Sequence, residues 1–195
     1  MSFFRRWLGG AASAHYRDGM RAFDAGDYER ALVGFERALA AGAPRGDPLT
    51  HLAHFYAAEA AVHLGRTALR RGAPAEALRW FEPALRGQAV SPALLELAAV
   101  AYIETGGHDA GLACLQSLLA VDPGRCPAHL LAAVACHGSG AAAAALEHLR
   151  AARQSAGSQS LPDVVYRCLE ARALRFPDLA ALLRDFVPSP QSSGV

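Results

Sequence analysis

The chain has 195 residues, 52% of them apolar, enough for one continuous core, and 19 basic against 18 acidic residues, a net charge of +1 that leaves no polyanion-binding footprint. Every basic residue is arginine; lysine and asparagine are absent, which removes two side-chain chemistries. Cys114, Cys126, Cys136 and Cys168 lack Cys-x-x-Cys spacing in a chain too large to need staples, so reduced core cysteines are expected.

Residues 1–11 form an aromatic and basic segment, with Phe3, Phe4, Trp7 and Leu8 around Arg5 and Arg6. No apolar h-region follows the arginines, so the segment is not read as a secretory signal. No run of about 18 apolar residues offers a membrane span, and a cytoplasmic protein is expected. Phe3, Phe4 and Trp7 have the composition of a peripheral membrane contact; packing on the first helical hairpin is the competing reading.

Residues 12–25 predict a helix carrying Tyr16, Gly19, Met20, Ala22 and Phe23, ended by Gly26. Asp27 caps a second helix to about Ala41, with Ala31, Leu32, Phe35, Ala38 and Leu39 on one stripe. After a loop over 42–47, Pro48 opens a helix with no breaker until Gly72, about 24 residues or about 36 Å long. Self-similarity then sets the architecture. Gly26, Gly72, Gly106 and Gly140 mark turns 46, 34 and 34 residues apart. Five positions after them stand Ala31, Ala77, Gly111 and Ala145; nine after, Phe35, Phe81, Leu115 and Leu149; twelve after, Ala38, Ala84, Leu118 and Ala152. Seven before them stand Gly19, Gly65, Ala99 and Ala133. Small residues let paired helices approach, and the bulky one fills the gap.

This pattern resembles the tetratricopeptide repeat, a 34-residue helix-turn-helix unit. The resemblance rests on Tyr28 with Gly26, Ala31, Phe35 and Ala38; on Leu64-Gly65 with Gly72, Ala77, Phe81 and Ala84; on Tyr102, Gly106 and Pro123; and on Ala133, Gly140, Ala145 and Leu149. It covers residues 12–153 and implies an all-α fold, a right-handed superhelix or α-solenoid whose first helices line a concave groove. The 12 residues added between the first two turns are a departure. They place Leu49, Leu52, Phe55 and Tyr56 on extra turns of the second unit's first helix, a candidate second contact surface or a seat for the N-terminal segment.

Downstream, a polar connector leads to Ser160-Leu-Pro-Asp163, which has capping-box form, and Pro177-Asp178 starts a last helix through Phe186. Residues 160–187 are expected as a degenerate capping hairpin and 188–195 as a disordered tail. His51 and His54 are too few for a metal site, and His137-Gly-Ser-Gly140 lacks the preceding strand that a phosphate loop or nucleophile elbow needs. No catalytic constellation, cofactor site or metal site is predicted.

The resemblance implies groove residues three, six and ten before each turn glycine. These are Phe23, Met20 and Tyr16; Leu69, Arg66 and Val62; Ile103, Val100 and Glu96; and His137, Val134 and Leu130. Arg70 and Glu104 add charge one residue nearer the turn. Arg66 and Arg70 could hold a carboxylate, or pair with Glu96 and Glu104 across the groove. Some family members clamp a terminal carboxylate with Lys and Asn, which this chain lacks, so an extended or helical peptide held by apolar side chains is favoured. The expected function is a non-catalytic adaptor or scaffold binding a protein or peptide, with self-association as a variant and no nucleic-acid partner. The alternative is a dedicated chaperone shielding an apolar client segment.

Overall fold

The computed structural model describes residues 10–41, 47–87, 89–155 and 161–184. The aromatic segment around Phe3, Phe4 and Trp7, Ser160, Phe186 and the tail 188–195 lie outside them. Among the described residues the chain forms α1 (Ala11–Asp24), α2 (Tyr28–Ala40), α3 (Pro48–Arg70), α4 (Pro74–Leu85), α5 (Pro92–Glu104), α6 (His108–Val121), α7 (Cys126–Gly138), α8 (Ala142–Ser155), α9 (Asp163–Ala173) and α10 (Pro177–Leu183). Helices α1 to α8 pair as four antiparallel hairpins, each packed on the next, which makes an α-solenoid.

Local chemistry sets the helix ends. The Asp27 and Ser91 side chains accept from the Arg30 and Leu94 amides, each at 3.2 Å, and Asp47 accepts from the Leu49 amide at 3.0 Å. All four turn glycines adopt positive φ, between 73° and 82°. After each one, the amides of Asp27, Ala73, Gly107 and Ala141 donate back to the carbonyls of Ala22, Ala68, Tyr102 and Cys136 at 2.8–2.9 Å. This closure satisfies carbonyls that a helix end leaves free, and its left-handed residue is cheap only as glycine. Inside the hairpins, a Cβ on Gly65 would clash with the Phe81 ring. The large residue therefore sits directly over the small one.

Two clusters of buried residues stand out. Ala22, Ala31, Phe35 and Ala60 form the first, with Tyr16, Met20, Phe23, Tyr28, Leu32 and Tyr56 packed around it. The second runs from Val62 through units two to four into Leu183 and is built mainly of aliphatic side chains, alanines and all four cysteines, with Phe81 and Phe176. All four thiols are free and buried.

The split follows from the length of α3, 23 residues against 13 in α5 and α7. Two residues after its turn glycine, His108 lies against Gly138, two residues before the next turn glycine. The equivalent residue in unit one, Tyr28, stacks instead on His63, ring centroids 4.1 Å apart and planes 6° apart. His63 is nine residues before Gly72, so unit one sits seven residues down α3, a displacement of about 10 Å. Its seat is the extension: Ala53 is fully buried, and the Tyr56 ring lies 5.8 Å from Phe35.

The C-terminal hairpin departs from a simple continuation of the stack. Helix α10 packs on α8, but α9 lies across α3, α5 and α7, the helices expected to line the groove. Its buried stripe of Val164, Val165, Cys168 and Leu169 supplies the reason, because the solenoid core can absorb it only on that face. The capping box expected at Ser160 lies outside the described residues; Pro162 is the N-cap of α9, without a side-chain hydrogen bond, and Asp163 pairs with Arg167 at 3.2 Å. The last helix ends at Leu183.

Candidate functional site

Three of the expected groove residues, Tyr16, Met20 and Phe23, lie on α1 at the aromatic cluster. The Phe23 ring stands 5.5 Å from Tyr56 and 5.3 Å from Tyr28, and Tyr16 lies 5.7 Å from Phe35. Tilted and edge-on contacts of this kind suit ring quadrupoles, so these side chains hold unit one to α3. On the extension, Leu49 is buried and Tyr56 joins the cluster, while Leu52 and Phe55 remain exposed, one turn apart.

In units two to four, Val62, Leu69, Val100, Ile103, Leu130 and Val134 are all at most 6% exposed. The chain's own packing, with α9 crossing the inner helices, closes them. The charged pairs also differ from expectation. Arg66 and Arg70 do not reach across to Glu96 and Glu104. Glu96, 4% exposed, accepts from Arg125 Nε at 2.7 Å, and Glu104 accepts from Arg172 Nη1 at 2.9 Å. A buried carboxylate needs a charged donor, and Arg125, in the loop before α7, supplies it. Neither Arg125 nor Arg172 is signalled locally, since their acceptors are 29 and 68 residues away.

A cleft of about 850 Å³ stays open between the C-terminal ends of α5, α7 and α9. It brings together Ile103, Glu104, Val134 and His137 of the expected set. The C-terminal segment adds Arg172 and Phe176. His137 is exposed and stacks on Phe176, centroids 4.3 Å apart and planes 7° apart. Arg172 is triply committed, since besides Glu104 it donates to the carbonyls of Ile103 at 2.9 Å and Cys168 at 3.1 Å. This clasp locks the rear wall of the cleft. At the rim, Leu174 is 93% exposed, a large apolar side chain left uncovered. The Phe176-Pro177 break after α9 was the only sequence signal for this wall.

Burial raises the thiol pKa of Cys114, Cys126, Cys136 and Cys168, which keeps them protonated and poorly nucleophilic. Cys136 is buried whereas its neighbour His137 is exposed, so they form no thiolate pair. In unit four, His148 Nδ1 lies 3.1 Å from His129 Nδ1, and His129 Nε2 donates to the Pro123 carbonyl at 2.9 Å. Burial, then the neighbouring His129, lowers the His148 pKa. Among the described residues no three His, Cys, Asp or Glu side chains are grouped to hold a metal ion, and no helix is long and apolar enough to cross a membrane.

No protein-family model matches the chain, and no curated protein does. Solved structures do. MamA aligns at 16% identity over 86% of this chain and 91% of its own, TM-score 0.50. YrrB, a TPR protein with an unusual peptide-binding site, aligns at 23% identity over 74% of this chain and 69% of its own, TM-score 0.48. At these identities the likeness concerns the fold alone.

Proposed function

We propose that this tetratricopeptide-type solenoid works as a non-catalytic scaffold, receiving a peptide or protein segment in the open part of its concave face. The observation that carries this is the cleft at α5, α7 and α9, with the uncovered Leu174 at its rim and the His137–Phe176 stack in its wall. An exposed large apolar residue beside a preformed concavity is a typical anchor for a partner. Four free buried thiols suit a reducing compartment, in keeping with a cytoplasmic setting.

The chaperone alternative needs a long open apolar trough. Helix α9 covers that region, which favours the scaffold. The test is affinity capture with quantitative mass spectrometry, comparing the wild type with Leu174→Asp and His137→Ala. A partner enriched by the wild type and lost from both variants, with unchanged circular dichroism, supports the cleft. Equal enrichment by all three proteins rejects it.

A further inference from the structure

Units two to four present an inner face that the chain itself occupies. Helix α9 lies there on α3, α5 and α7, with Val164, Val165, Cys168 and Leu169 at i, i+1, i+4 and i+5 as its buried stripe. Val164 and Cys168 line a small pocket of about 160 Å³ together with Leu69 and Val100, so the stripe stands against the inner residues of α3 and α5. Two arginines supply the polar anchoring. Arg172 donates to Glu104 and to the Ile103 carbonyl, each at 2.9 Å. Arg167, paired with Asp163 of its own helix, donates to the Arg70 carbonyl at 3.4 Å. These carbonyls belong to the last turns of α5 and α3, where a helix end is negative and suits a guanidinium.

The seat is one that a helix can leave. Helix α9 has 11 residues, fewer than the about 12–15 at which an isolated helix is even marginal in water, so it is helical because the inner face holds it. Its first turn has no side-chain cap. Openings flank it on both sides, the small pocket toward α3 and the large cleft toward α7, so it fills the face incompletely. Helices α1 to α8 pair with one another, and α10 has its own buried stripe of Leu179, Leu182 and Leu183 and packs on α8. Val165 and Leu169 are fully buried, so the seated form prevails until a competitor arrives.

We propose that α9 is an autoinhibitory helix, holding the inner face until a partner helix of the same pattern displaces it. That partner carries apolar residues at i, i+1, i+4 and i+5 and an arginine at i+8, which takes over Glu104 and the Ile103 carbonyl from Arg172. This goes beyond the reading of the cleft and does not rest on it: a segment bound in the cleft leaves α9 seated, whereas this partner takes its place.

A synthetic peptide spanning residues 161–176 is the probe, with Cys168→Val so that its mass differs from the chain's own segment. It is added to the full chain at about millimolar concentration, which matches the effective concentration of a tethered helix. Hydrogen exchange of the chain's own α9 should speed up at least about tenfold, with α5 and α7 unchanged. Fluorescence anisotropy of the labelled peptide gives a second reading. The full-chain variant Leu169→Asp, which unseats α9, should bind it at least about tenfold more tightly than the wild type, and Arg172→Gln in the peptide should weaken that binding at least about fivefold. Leu174→Asp, which probes the cleft, should match the wild type in both measurements, so the two readings fail separately. The exchange experiment uses the wild type and holds even where Leu169→Asp fails to fold. Exchange in α9 unaltered by the peptide, equal affinity of Leu169→Asp and wild type, undiminished binding of the Arg172→Gln peptide, or equal binding of a scrambled peptide would each overturn the proposal.

Discussion

Unit one and units two to four follow the same hairpin rule but solve packing differently. Unit one is held to α3 by rings, Tyr16, Phe23, Tyr28, Phe35, Tyr56 and His63. The later units are joined by aliphatic side chains and alanines, and they take α9 into the same core. The difference lies in neighbours: unit one meets a helix ten residues longer than α5 and docks two turns down it, whereas the later units meet helices of matched length. A change in one helix length has thus produced a second core and a stepped surface.

The largest expected effect breaks this comparison by deletion. Phe81 and Phe35 occupy equivalent positions and are both fully buried. Phe81→Ala should cost about 3–5 kcal/mol and lower the main urea transition. Phe35→Ala should instead bring out an earlier, smaller transition confined to α1 and α2. Coincident single transitions for both variants would show one cooperative core rather than two.

A smaller effect sharpens the boundary. In unit one a Cβ on Gly34 would lie 2.6 Å from the Gly19 Cα, backbone against backbone. Gly34→Ala should cost about 1–3 kcal/mol, since the helices must separate. Hydrogen exchange should rise in α1 and α2 and stay unchanged in α5 to α8; a rise throughout would erase the boundary.

Acidification supplies the mildest probe, and it touches both regions. Burial lowers the pKa of His63, the α3 residue on which unit one stacks, with Arg66 adding to the effect, and burial followed by His129 lowers that of His148 in unit four. Both folded values lie below the ordinary 6.5, so at acid pH the unfolded chain binds more protons and stability is lost as pH falls below about 6.5. Thermal melts from pH 7.5 to 5 should show this decline. His63→Gln should flatten it for α1 and α2 only, read by hydrogen exchange; an unaltered pH dependence in those helices would remove His63 from the account.

Much of the fold was legible because it is local. Gly26, Gly72, Gly106 and Gly140 each had to end a helix with positive φ, and the residues five, nine and twelve positions on had to pack in register. The length of α3 was legible as well, from Pro48 and the absence of a breaker before Gly72. The site was less so. Counting back from the turns put Ile103, Glu104, Val134 and His137 on the expected groove, but it named neither the cleft they share nor Arg172 and Phe176, since nothing near those two in sequence marks their partners.

The sequence by itself determined the helices, their turns and the repeat, because each depends on groups a few residues apart. Tertiary structure alone decided three things: how far unit one slides along α3, that α9 crosses the inner helices, and which arginine meets which glutamate. Each of these is a choice among distant surfaces of similar composition, settled by which apolar stripe can be buried and which carboxylate lies within reach.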